Sequence, residues 1–150
     1  MKKIIIIIIL FFLSSCGYSP IYKNSKSSDL MIIITDLKGN KEMNNLIKNQ
    51  LELYSNKNSN NKFYININTF IDKIIISRTT GGAASDYQLY LKTNFEINHN
   101  KKTQKIVFEE RFNFKNISDS FEQRNYENTI KNNFASSLRK KLILKLISIK

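Results

Sequence analysis

From Tyr87 to Ile97 the chain alternates: Tyr87, Leu89, Leu91, Phe95 and Ile97 stand against Gln88, Tyr90, Lys92, Asn94 and Glu96. A period of two belongs to a strand, whose successive side chains point to opposite faces. A strand with one apolar and one polar face requires a sheet covered on one side only. The flanking sequence supplies neighbours for it. Phe63, Ile65 and Ile67 alternate with Tyr64, Asn66 and Asn68, and the run continues through Phe70 and Ile71 to Ile74-Ile75-Ile76. So long a run predicts a bend or bulge, expected near Asp72-Lys73. Arg78 to Ser85, with Gly81-Gly82, reads as a loop, and Asn98-His99-Asn100-Lys101 has the composition of a hairpin turn. Beyond it, Ile106, Phe108, Phe112 and Phe114 share a face with Glu110, while Val107, Glu109, Arg111 and Asn113 share the other.

Two helices and one more strand complete the pattern. Leu30 to Thr35 is a short apolar run whose isoleucines favour a buried strand. Asn40 suits a helix N-cap, and Met43, Leu46, Ile47, Leu51 and Tyr54 form one face of a helix running to about Tyr54. At the other end, Asp119 or Ser120 can cap a long helix, and Ser120 with Gln123 fits a capping box. There Tyr126, Ile130, Phe134, Leu138, Leu142 and Leu146 step by four, with Ala135 beside them. Steps of four drift about 40° each on a helix of 3.6 residues per turn, so this stripe winds. The order is β-α-β-β-β-α. It predicts an α+β fold, with two helices packed on one face of a four-stranded, mostly antiparallel sheet.

The N-terminus sets the compartment. Met1-Lys2-Lys3 is a cationic start, Ile4 to Leu13 is an unbroken apolar run, and Ser14-Ser15-Cys16 follows. The run is far short of the about 20 residues that span a bilayer, and the pattern is that of a secretory leader. Leu13-Ser14-Ser15-Cys16 also has the form of a bacterial lipobox. Small residues before the cysteine suit the peptidase, and its thiolate is the nucleophile that takes a diacylglyceryl group. Cys16 is therefore the expected lipidation site, and two or three acyl chains anchor firmly where one does not. Gly17 is not the aspartate that commonly retains lipoproteins at the inner membrane, which favours the outer membrane. The expected organisation is a lipoprotein signal peptide over 1–15, a lipidated tether over 16–29 and a single α+β domain over 30–150.

Composition narrows the function. The 150 residues hold 24 basic and 12 acidic side chains, a net charge of +12, which becomes +10 once Lys2 and Lys3 leave with the signal. Heavy use of Lys, Asn and Ile is what an AT-rich genome produces, so part of this charge reflects drift. The four arginines, Arg78, Arg111, Arg124 and Arg139, stand out against that background. A guanidinium grips phosphate in a bidentate way that lysine does not match. Nucleic acid is the usual partner of such charge, and the export signal argues against it. One cysteine and one histidine exclude an intrachain disulfide, multi-cysteine metal sites and His-His metal pairs. Glu109 and Glu110 are adjacent on a strand and point to opposite faces, so they cannot converge on one bond. Glu110, on the apolar face, is expected to pair with a helix lysine or lie at the sheet edge. His99 reads as a solvated turn residue. Gly81-Gly82 lacks the spacing of a nucleotide loop. The chain is expected not to be an enzyme and to need no cofactor.

Several segments resemble one family. Cys16-Gly17-Tyr18-Ser19-Pro20-Ile21-Tyr22 is similar to the Cys-Gly-aromatic opening of the LptE family of lipopolysaccharide (LPS) assembly lipoproteins. Leu46-Ile47-Lys48-Asn49-Gln50-Leu51 resembles its short first helix. Arg78 to Phe95 matches best, with Ala84-Ser85-Asp86-Tyr87-Gln88-Leu89 like the family's entry into a strand. Phe108-Glu109-Glu110-Arg111-Phe112-Asn113-Phe114 resembles its aromatic strand, and Leu138-Arg139-Lys140-Lys141-Leu142 its last helix. The loop before Tyr87 has about two extra residues, and there is no long C-terminal tail. The resemblance implies two helices on a four-stranded sheet. It also implies a lipid-anchored outer-membrane protein that faces the periplasm, assembles and plugs a large LPS-export β-barrel (LptD-like) and binds LPS. It points to Arg78, and to Arg124 at the start of the last helix, as the LPS-contacting residues. The alternatives are an accessory lipoprotein of another outer-membrane assembly or secretion machine, and a periplasmic hydrolase, for which no catalytic set is evident.

Overall fold

The computed structural model describes residues 29–149. The signal peptide, Cys16, nearly all of the expected tether and residue 150 lie outside the described residues. The elements are β1 (Met31–Gly39), α1 (Lys41–Glu52), β2 (Lys62–Arg78), β3 (Ala84–His99), β4 (Lys102–Lys115) and α2 (Ser120–Ser148). The sheet order is β1-β2-β3-β4. β1 lies parallel to β2, an arrangement that requires the crossover that α1 supplies, and β2, β3 and β4 form an antiparallel meander. This is the α+β arrangement expected from the sequence.

Both helices cover one face. Asn40 caps α1, its Oδ1 accepting from the Met43 N–H at 2.9 Å, and Met43, Ile47 and Leu51 are fully buried. From α2, Ile130, Phe134, Ala135, Leu138, Leu142 and Leu146 are buried. Against them the sheet sets Phe63, Ile65, Ile67, Leu91, Phe95 and Ile97. Each such side chain contributes about 2 kcal/mol by leaving water. Arg139 ties the helices together. Its guanidinium donates to Gln50 Oε1 at 2.7 Å and lies 4.6 Å from the Tyr54 ring centroid. Glu110 pairs with a helix lysine as expected: Lys141 Nζ lies 2.8 Å from its Oε1, and Ser137 Oγ donates to the same oxygen. Glu109 points the other way, towards Lys92 and Arg111.

Some boundaries differ from the sequence-based expectations. β1 runs through Lys38 to Gly39, and α1 ends at Glu52. Gly39 is where β1 leaves the sheet. Its φ is +84°, and a Cβ there would overlap the Thr69 carbonyl oxygen. The irregularities of β2 fall between Ile75 and Arg78, not at Asp72-Lys73. Asp119 caps α2, accepting from the Phe121 and Glu122 N–H groups, while Gln123 Oε1 accepts from the Ile117 N–H instead of closing a capping box. Tyr126, the first residue of the α2 stripe, is 40% exposed.

Candidate functional site: the distal end of the sheet

β1 covers β2 only from Lys62 to Thr69. Beyond Thr69, β2 and β3 continue as a long arm, and the β2–β3 turn, the end of β4 and the start of α2 meet at one end. We call it the distal end. The turn is short. Thr79 N–H donates to the Ala83 carbonyl and Gly82 N–H to the Thr79 carbonyl, with Gly82 at φ +82°. Asn116 straps the end of β4 to β3, its N–H on the Ser85 carbonyl and its Nδ2 on the Ala84 carbonyl.

Arg78 and Arg124 both lie at this end, on different elements. Arg78 closes β2, and its Nη1 donates to the Gly82 carbonyl at 2.9 Å, holding the guanidinium against the turn. The other N–H donors of its fork remain available, since a guanidinium carries five. Arg124 sits in the second turn of α2 and is exposed. Neither forms an ion pair with a described residue. Lys115 adds a third exposed cation at the end of β4. Sequence reasoning passed over it because nothing in a lysine-rich chain marks one lysine; only its register opposite Asp86 places it here. Of the other arginines, Arg139 is the interhelical clamp. Arg111 lies 5.1 Å from the Tyr90 centroid on the helix-free face.

Apolar side chains crowd the same end on the helix side. Tyr87 packs on Phe114 at 5.7 Å between centroids, and Tyr126 meets Phe112 and Phe114 edge-on at 6.5 and 5.9 Å. Ile75, Phe112 and Phe121 are exposed around them. One ion pair locks the base of this cluster. Lys73 Nζ lies 2.6 Å from Glu127 Oε1 and 4.0 Å from the Tyr87 centroid, and Gln123 Nε2 donates to the same Glu127 oxygen. Burial opposes the charge on Glu127. Hydrogen bonds from Lys73 and Gln123, with the charges of Lys73 and Lys131, outweigh it and hold the carboxyl below its ordinary pKa. The distal end is therefore amphiphilic: three cations without an ion-pair partner among the described residues lie beside exposed aromatic and aliphatic surface.

The helix-free face is different. Asn66, Asn68, Asn94, Glu96 and Lys105 line a shallow depression of about 400 Å³. His99 lies at the opposite end, stacked on Phe63 at 4.1 Å and hydrogen-bonded through Nδ1 to the Lys62 carbonyl. It ends β3, so the turn is made by Asn100 and Lys101, and its half-buried, stacked ring differs from the solvated turn residue expected. Among the described residues no cluster of His, Cys, Asp and Glu has the make-up of a metal site.

No protein-family model matches the chain, and no curated protein matches it in sequence. Solved structures do match it. The rare lipoprotein B from Shewanella oneidensis aligns with a TM-score of 0.59 at 16% identity, covering 80% of this chain and 94% of that one. A structure from Caulobacter crescentus CB15 aligns at 0.57 and 11% identity, covering 81% and 90%. A minor lipoprotein from Acinetobacter baumannii aligns at 0.51 and 13% identity, covering 75% and 93%. At these identities the likeness is one of fold. The described domain has the architecture of proteins named as bacterial lipoproteins.

Proposed function

We propose that this chain is an outer-membrane lipoprotein, anchored through Cys16, that assembles and plugs the large β-barrel exporting LPS and binds LPS on its way to the outer leaflet. The observation that carries this reading is the distal end, where exposed Arg78, Lys115 and Arg124 flank the Ile75, Phe112, Phe121 and Tyr126 surface. Lipid A presents phosphates on a sugar backbone beside acyl chains. Arginine forks match the phosphates bidentately and compete for them with divalent ions, while aromatic edges accept the chain roots. Such contacts are individually modest and weaken with salt.

Two further features support the reading. The leader with its lipobox and the shared lipoprotein fold agree on an anchored, exported domain. The helix-free face, rich in Asn66, Asn68, Asn94, Gln88 and Asn113, can hydrogen-bond to a polar barrel lumen. In this reading the chain works by binding and uses no cofactor.

Affinity purification of the C-terminally tagged chain in mild detergent tests it. A stoichiometric large β-barrel of the LPS-export type is the expected co-eluting protein. A different barrel would transfer the role to another assembly machine, and the absence of any barrel would contradict the plug.

A further inference from the structure

One side of α2 changes character along its length. Thr129, Asn133, Lys140, Leu144 and Ile147 are spaced by three, four or seven residues, so they form one ridge. It lies opposite the buried Leu138, Leu142 and Leu146. As far as Lys140 its exposed residues are polar, as the outward side of a surface helix should be. In the last turns it is apolar: Leu144 is 69% exposed and Ile147 53%. Half-buried Ile143 adjoins them, and Leu53, at the end of α1, is exposed as well. The Glu42–Lys131 and Gln50–Arg139 contacts make the two helices run parallel, which sets Leu53 beside the start of these turns. Lys140 and Lys145 are exposed there and, unlike Lys141, have no ion-pair partner among the described residues. Glu52, next to Leu53, lies 3.8 Å from Lys48 Nζ.

This patch is at the end where the chain enters the domain. Ile149, just past α2, lines a hollow with His99 and Asn100. His99 Nδ1 bonds to the Lys62 carbonyl, and Met31 pairs opposite Lys62. Asp29 is held there too, by Ser59 and Asn61. Asp29 follows Cys16 by 13 residues, a span of at most about 45 Å. An anchor at Cys16 therefore keeps this end near the bilayer at any extension of the tether. The arm tip, about 50 Å away along β2, reaches the bilayer only with the tether fully drawn out. Among the described residues no helix is long and apolar enough to cross a membrane, so the contact available is with its surface.

We propose that the last turns of α2 rest on the anionic lipid surface in which Cys16 is anchored. Leu144 and Ile147 enter the head-group layer with Leu53 beside them, and Lys140 and Lys145 meet the lipid phosphates. Interfacial helices combine these residue types: apolar side chains insert, while lysine stems lie along them and carry the ammonium to the phosphates. So few apolar side chains hold a membrane weakly by themselves. A covalent anchor close by raises their local concentration at the surface, so weak affinity suffices. The inference rests on the lipidation of Cys16 and concerns the anchored chain outside a barrel. It leaves LPS binding with the distal end.

The test uses the mature lipidated chain in vesicles of phosphatidylethanolamine and phosphatidylglycerol. Acylated Cys16 leaves an introduced thiol as the one that labels. A nitroxide, itself apolar, is placed at Ile147→Cys or, for reference, at Asn125→Cys, an exposed position about 33 Å away on the same helix. Flotation with the vesicles reads the anchor, and collision with a water-soluble nickel chelate reads the contact. The label at 147 is expected to be shielded at least about threefold better than the label at 125. Leu144→Asp, a change outside the core, removes that difference. Lys140→Glu with Lys145→Glu removes it as well, and vesicles of phosphatidylcholine alone weaken it. A chain that floats while its two labels collide alike overturns the contact and leaves the anchor standing. A chain that does not float overturns both. Shielding that survives the variants, or spin–spin broadening that marks a second copy on the ridge, also overturns the proposal.

Discussion

The two halves of the sheet are built from the same strands and differ in almost everything else. In the half between Lys62 and Thr69, β2 has neighbours on both edges and two helices over one face, and Phe63, Ile65 and Ile67 are essentially inaccessible. In the half between Phe70 and Arg78 it has one neighbour, and Phe70, Ile74, Ile75 and Ile76 are exposed. The boundary is a polar knot. Asn44 Nδ2 donates to the Lys38 carbonyl, Thr69 Oγ1 lies 2.8 Å from Asn44 Oδ1, and Gly39 turns β1 away beside them. One half supplies the stability and the other displays surface. An exposed apolar arm persists because the rest of the strand is held by a core that does not depend on it.

The largest expected effect belongs to the covered half. Leu91→Ala or Leu138→Ala, both fully buried, should cost about 2–5 kcal/mol. Ile75→Ala in the arm should cost less than about 1 kcal/mol. Urea unfolding measures both, and similar losses would erase the distinction between the halves. Next comes the boundary. Gly39→Ala adds a Cβ against the Thr69 backbone at a φ of +84°, at an expected cost of about 2 kcal/mol or more. A neutral result would mean that β1 is free to leave the sheet elsewhere.

A smaller effect comes from the Lys73–Glu127 pair, which locks the base of the arm to α2. Glu127→Gln should cost about 1 kcal/mol or less. The pH dependence has a definite sign. The folded-state pKa of Glu127 is lowered, so its contribution is full above the unfolded carboxylate range. It is lost as pH falls through the folded value. The gap between variant and parent should therefore be widest near neutrality and close in acid. A gap that widens in acid would show that the carboxyl is not held in its charged form. Smallest of all, Arg78→Glu with Arg124→Glu should change stability by no more than about 0.5 kcal/mol, since neither arginine has an ion-pair partner among the described residues.

The sequence revealed faces more readily than neighbours. The alternation in β3, the step-of-four stripe of α2, the Asn40 cap and the Glu110–helix lysine pair all follow from period and position, and each appears in the structure. Where β1 ends is not periodic information. It depends on a positive φ at Gly39 and on a knot among Lys38, Asn44 and Thr69, groups far apart in sequence. The β2 irregularity was expected at its two charged residues, but Lys73 stays in register because Glu127, on a distant helix, neutralises it. Tyr126 continues the α2 stripe yet stays partly exposed, because the stripe reaches the arm before the core closes over it. Arg78 and Arg124 were singled out by residue type and resemblance. That they share one end, with Lys115 and an aromatic cluster, required the three-dimensional fold.

The central claim is that the uncovered half is the binding half. The most direct test compares LPS binding by Arg78→Glu/Arg124→Glu with binding by Lys57→Glu/Lys102→Glu. The second pair makes the same change in net charge at the opposite, covered end of the sheet, where both lysines are exposed. The account predicts that the distal variant binds about tenfold more weakly and the other variant stays within about twofold of the parent. Equal losses would make the attraction one of net charge alone, and no loss in the distal variant would remove the site.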